Sequence, residues 1–141
     1  LIILFTIKGK KLPIKSQTTE GITVSVDPKF DGDINDAQSV KFVFTYTITV
    51  HNSLSYTVKL LSRKWDIFDS VGKHHIVEGE GVVGLQPEIA PGESFTYSSW
   101  CPLDSNLGTM EGKYLMQNPI TGATFEITIP RFELAADWIR N

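Results

Sequence analysis

From Val40 the even positions read Val40, Phe42, Phe44, Tyr46, Ile48 and Val50, while the odd ones read Lys41, Val43, Thr45, Thr47, Thr49 and His51. Apolar residues at every second place turn one side of an extended chain toward a core and the other toward water, so this stretch predicts a half-buried β-strand. The same phase recurs at Ile22, Val24 and Val26; at Trp65 and Ile67; at Phe95 and Tyr97; at Met110, Tyr114 and Met116; and at Phe125, Ile127 and Ile129. Turn chemistry separates these runs: His51-Asn52-Ser53, Ser70-Val71-Gly72, Ala90-Pro91-Gly92-Glu93 and Pro119-Ile120-Thr121-Gly122, where Pro presets φ and Gly accepts a positive φ. Nothing carries a helix-period stripe of useful length apart from a final turn near Ala135 to Trp138. The pattern predicts an all-β domain, a β-sandwich of about seven to eight antiparallel strands. A closed barrel satisfies the same alternation.

At 141 residues the chain has the length of one domain, and 41% apolar with 21% charged residues is a globular composition that excludes wholesale disorder and a long coiled coil. No repeat or low-complexity linker divides it. The net charge is −3, unevenly spread: residues 1–17 hold Lys8, Lys10, Lys11 and Lys15 with no acid, which leaves nine basic against sixteen acidic residues beyond them. So acidic a body repels phosphate backbones, and nucleic acid is not an expected partner. The lone Cys101 forms no internal disulfide and points to a reducing compartment. The apolar run Leu1 to Ile7 is too short to span a membrane, and its lysines follow it, the wrong side for a secretory signal. Residues 1–20 are expected to be a disordered or spurious extension, the first residue not being Met, and residues 21–141 the folded domain.

Gly79-Glu80-Gly81-Val82-Val83-Gly84 is a literal GxGxxG. In a dinucleotide-binding unit such glycines open a helix whose amides hold a pyrophosphate. Here Val82 and Val83 favour extended chain and Pro87 forbids a helix, so a strand with a bulge or close backbone approach is the preferred reading. Asp27, Asp31, Asp33, Asn35 and Asp36 invite a Mg²⁺ or Ca²⁺ site but lack the Gly and bidentate Glu of a calcium loop, and read as an inter-strand loop. His74 and His75 are neighbours that point to opposite faces of a strand, with His51 distant. A site joining one of them to Glu78 or Asp69 is a remote alternative. Cys101 has no evident His partner, no GxSxG elbow or HExxH occurs, and the chain is not expected to be an enzyme. Trp65 and Trp100, like most of the Phe and Tyr residues, read as core, though an aromatic on an outer face would mark a binding surface.

Four blocks occur in order: Leu60-Leu61-Ser62-Arg63-Lys64-Trp65-Asp66-Ile67; Gly79 to Pro87; Pro91-Gly92-Glu93-Ser94-Phe95-Thr96-Tyr97; and Gly108-Thr109-Met110-Glu111-Gly112-Lys113-Tyr114. Together they resemble the ApaG family over about residues 21–135. Lys64 stands where that family usually has His, Trp100 where Gly is usual, and Asn106-Leu107 where Thr-Pro is common. The resemblance implies an immunoglobulin-like or fibronectin type III-like sandwich and a bacterial cytoplasmic protein, often encoded beside a diadenosine tetraphosphate hydrolase and genetically associated with cobalt and magnesium efflux. Similar domains inside a eukaryotic F-box protein and a polymerase-delta-interacting protein look like protein-interaction modules. No catalytic residue comes with it.

Three readings follow. The first is a protein-interaction module using an exposed edge or the groove beside Gly79 to Pro87. The alternative is a nucleotide or pyrophosphate site on Gly79, Gly81 and Gly84 with Arg63. The third is direct Co²⁺ or Mg²⁺ binding by Asp31, Asp33 or the histidines. The candidate ligand- or partner-binding residues are Arg63, Trp65, Gly79, Glu80, Gly81, Gly84 and Gln86. No metal ligand is assigned and no cofactor expected; the expected partner is a protein.

Overall fold

In a computed structural model, residues 10–35 and 39–136 are described. Ten strands follow one another: β1 (Lys10–Lys11), β2 (Lys15–Thr19), β3 (Ile22–Asn35), β4 (Val40–Asn52), β5 (Val58–Asp69), β6 (Lys73–Glu80), β7 (Glu88–Ile89), β8 (Ser94–Leu103), β9 (Leu107–Gln117) and β10 (Thr124–Ala135). They form two antiparallel sheets. One runs β1-β3-β4-β8, with β2 also on β3, and the other runs β10-β9-β5-β6, with β7 on β5. The sheets pack face to face as a sandwich, three long strands against four, as in a fibronectin type III-like domain.

The alternation read in the sequence is the alternation of burial. Val24 and Val26 of β3, Phe44, Ile48 and Val50 of β4, and Tyr114 and Met116 of β9 all turn into one core. In β10 the phase changes midway. Ile127 and Ile129 point inward, the register shifts between Ile129 and Phe132, and Phe132 and Leu134 then take up the inward places.

Three expectations need correction. The folded domain does not begin near Gly21: β2 pairs with β3 across a two-residue turn in which Glu20 and Gly21 both have positive φ, and Leu12 is buried. Pairing with a long neighbour holds this segment without any apolar face of its own, through hydroxyl contacts such as Thr18–Thr23 at 2.7 Å. Residues 1–9 lie outside the described part. The acidic stretch is not a loop either, because Asp27, Asp31, Asp33 and Asn35 belong to β3, which bulges between Phe30 and Gly32; Asp36 is not among the described residues. Lastly, Ala135 ends β10 in extended conformation where a helical turn was expected, and Trp138 lies outside the described residues.

The two long edges of the sandwich differ. On one side β10 runs against β2 and β3, and the Thr128 amide donates to Thr19 Oγ1 across the gap at 3.3 Å. On the other side β6 and β8 each end their sheet, and the sandwich gapes between them.

Candidate functional site

The gap is a cleft of about 600 Å³ whose walls follow from strand register. Arg63, Trp65, Ile67 and Asp69 of β5 pair with Gly79, Val77, His75 and Lys73 of β6, in that order, to form one wall. Tyr46 of β4 paired with Ser99 of β8, together with Trp100, Cys101 and Pro102, forms the other. A second lobe continues past Arg63 to Tyr97, Glu80, Val82, Val83 and Gly84. Trp100 is 58% exposed at the rim, which corrects its reading as core: β8 is an edge strand, and Trp100 lies on the side facing away from the core. Trp65 is buried edge-on against both Tyr46 and Phe132, which themselves meet at a tilt, and serves as floor rather than as an exposed contact.

One end of the cleft is clasped by charge. Asp104, after β8, receives Lys41 Nζ on one oxygen and Lys73 Nζ on the other, the latter at 2.6 Å. Beneath it the buried Asp69 carboxylate accepts the Asp104 amide at 2.7 Å and the Ser105 hydroxyl, fixing the turn between β8 and β9. The two lysines hold the Asp104 carboxyl down from 3.8 to about 2. A depressed acid contributes to the clasp fully above its ordinary range, and the contribution is lost as pH falls through the lowered value. Carboxyl-carbon NMR is expected to find Asp104 titrating near 2, and to find the midpoint moving back toward 3.8 in the Lys41→Ala, Lys73→Ala double variant; an unmoved midpoint would reject the clasp.

The glycine-rich block lies at the other end. Gly79 and Glu80 finish β6, and Val83-Gly84 makes a two-residue hairpin turn closed by reciprocal Val82–Leu85 backbone bonds of 2.8 Å. Val83 and Gly84 both have positive φ, 43° and 78°, as this tight turn requires. No helix starts here. The Gly81 amide is given to the Leu61 carbonyl at 2.7 Å, and Gln86 Nε2 reaches the same oxygen at 2.9 Å. Each glycine has its own duty. A Cβ on Gly81 would overlap the Leu85 carbonyl, Gly84 supplies the turn, and Gly79 leaves space for the Arg63 guanidinium, which a Cβ there would meet at 2.8 to 3.0 Å. Arg63 Nη1 donates to the carbonyls of Glu80 at 3.2 Å and Gly81 at 2.8 Å. The expected set thus divides: Arg63, Gly79, Glu80, Gly81 and Gln86 form one hydrogen-bonded and packed group around the turn, with Gly84 at its tip, while Trp65 is core.

Other candidates stand apart. Cys101 is buried, and burial first, then the Asp69 charge, pushes its thiol up to about 11, which works against a thiolate nucleophile at neutral pH. His74 bonds Asp66 at 3.0 Å and stacks on Phe68 on the outer face, whereas His75 lines the cleft. Among the described residues no three His, Cys, Asp or Glu side chains converge to hold a metal ion, and no helix is long and apolar enough to cross a membrane. The cleft residues Val77, His75 and Trp100 carry no motif. An apolar or aromatic residue on a strand that ends its sheet is the signal that would have found them, and it requires the strand order.

Comparison with known proteins agrees with this geometry. The model of the ApaG domain matches residues 33–118. Protein ApaG of Brucella anthropi is 46% identical over 116 residues, covering 82% of this chain and 88% of the relative. Protein ApaG of Chromohalobacter salexigens is 41% identical over 120 residues, covering 85% and 94%. The crystal structure of an ApaA protein from Bordetella pertussis superposes with a TM-score of 0.70 at 38% identity, over 88% of this chain and 95% of that one. Sequence blocks, sandwich topology and relatives therefore agree that this chain belongs to the ApaG domain family.

Proposed function

We propose that the chain is a non-enzymatic binding module of the cytoplasm that receives an extended segment of a protein partner at the edge between β6 and β8. The observation that carries this reading is the asymmetry of the sandwich: one long edge is packed shut, and the other leaves two edge strands flanking a cleft of about 600 Å³. An edge strand has backbone donors and acceptors to share with an added strand, and side-chain pockets beside it supply selectivity. Trp100 and Val77, 58% and 40% exposed at the rim, are the apolar contacts such a segment would cover. Chemistry on a bound substrate finds little support: the Cys101 thiol is held protonated, and Asp69 is committed to the Asp104 amide and Ser105. In this reading the association with cobalt and magnesium efflux is exercised through the partner. The pyrophosphate alternative is disfavoured because the Gly81 amide is already bonded and no helix follows.

The test is site-specific photo-crosslinking in cells that express the chain. A benzophenone amino acid replacing Trp100 is expected to label a discrete protein species. The same group replacing Ile120, 91% exposed on the β9–β10 turn, is expected to give only background. Equal labelling from both places would overturn the reading.

A further inference from the structure

Among the described residues, Arg63 has no carboxylate partner in the cleft, unlike the two cleft lysines. Lys41 and Lys73 share Asp104, whereas among the described residues no acid lies within ion-pair reach of Arg63, and hydrogen bonds are made by Nη1 alone, to two backbone carbonyls. Nε and Nη2 have no partner there. The position is not a surface one: Arg63 is half-buried, pairs with the fully buried Tyr114 on one side and with Gly79 on the other, and lies where the two lobes meet beside Tyr46, Trp65, Tyr97 and Ser99. A guanidinium partly withdrawn from water among aromatic rings is costly unless an anion completes it, and its planar fork suits a carboxylate. Gly79 shapes the place, since its missing side chain is what lets the guanidinium lie across β6 toward the open edge.

Resting on the reading of the cleft as a protein-binding edge, we infer that Arg63 is its anion-recognition point, and that the segment it accepts carries an acidic side chain next to an apolar one. The acid meets Arg63. The apolar neighbour meets the wall of Ile67, Val77 and Trp100. A single negative charge fits better than a phosphate dianion, because Glu80 shares the inner lobe with Arg63 and Glu78 stands two residues away on β6.

The test follows the Arg63 Nε–H signal and the β6 and β8 amides by NMR while four probes are added in turn: the blocked pentapeptide Ser-Val-Glu-Leu-Ser, its Glu→Gln counterpart, acetate and inorganic pyrophosphate. The Glu peptide is expected to shift Arg63 Nε–H and the edge amides saturably, with affinity at least about tenfold above the Gln peptide. Acetate is expected to move the Arg63 signal only weakly. Arg63→Gln should abolish the difference between the peptides. Gly79→Val, which keeps the charge but fills its seat, should reduce it. Circular dichroism and the amide spectrum report whether either variant stays folded, and should Arg63→Gln unfold, Arg63→Lys replaces it, with a reduced preference expected. Equal binding of the two peptides overturns the inference while sparing the protein-binding edge. A saturable response to pyrophosphate with none to the Glu peptide overturns it in favour of a phosphate. Silence toward all four probes overturns it too, and the crosslink from position 100 then judges the edge separately.

Discussion

Asn52→Ala is expected to destabilise the fold by about 3 kcal/mol in urea unfolding, a large share of a small domain's stability. Asn52 is the last residue of β4 and has no exposed surface. Its Nδ2 donates to the carbonyls of Tyr56 and Ile89, each at 2.9 Å, and its Oδ1 accepts the Leu54 amide at 2.8 Å. Its own backbone accepts Gly92 N–H at 2.7 Å and donates to the Glu93 carbonyl at 3.0 Å. One side chain thus ties together the β4–β5 connection and β7, while its backbone holds the β7–β8 turn. Truncation takes this partner from the buried Ile89 carbonyl and from two partly buried groups, the Tyr56 carbonyl and the Leu54 amide. Asn52→Asp is expected to be worse near neutral pH, because two donors become acceptors facing two carbonyls and a charge is buried. The sign with pH is fixed: a carboxyl raised in the folded state is penalised above its unfolded value, so lowering the pH toward about 4 should recover stability in Asn52→Asp and not in Asn52→Ala. Equal pH dependence in the two variants would refute this account.

Gly112→Ala is the second large effect expected, again about 3 kcal/mol by the same measurement. Gly112 lies in β9 between β5 and β10, opposite Trp65 and Ile129. A Cβ there would overlap the Lys64 carbonyl oxygen and press Ile129 Cδ1 at 3.3 Å. A carbonyl in a sheet ladder cannot swing aside without parting the strands, so the cost falls on the interior of the β10-β9-β5-β6 sheet. Gly79→Ala is the control. Its Cβ would meet only the end of the Arg63 side chain, which can move, and the change should cost less than about 1 kcal/mol. Similar losses at the two positions would show that backbone approach is not what selects glycine at 112.

What the sequence discloses depends on whether a residue's duty is set along the chain or across it. The alternation of β4 reads directly because both its neighbours pair with it for most of its length. The late inward phase of β10 is hidden by the bulge beside Pro130, and β2 is hidden because Lys15–Thr19 buries almost nothing and is held by hydroxyls and a Glu20-Gly21 turn. Asn52 looks like an ordinary turn residue, since its three partners lie up to 37 residues away. The glycine block shows how spacing misleads. Its literal match to a phosphate motif comes from three separate demands, a guanidinium seat, a close carbonyl and a tight turn. Arg63 was legible as a candidate residue. That it lacks an acid is a fact about the opposite wall.

The gaping edge has a consequence for self-association. Unpaired edge strands template the pairing of like with like, the first step toward fibrils and precipitates. Here β6 carries Lys73, Glu78 and Glu80 within eight residues, and β8 carries Pro102, which has no N–H to offer a neighbour. A second copy approaching antiparallel, strand against strand, would set charges and a proline where a continuous ladder is needed. Charge on one edge strand and a proline on the other thus oppose the continuous like-with-like ladder from which aggregation would start.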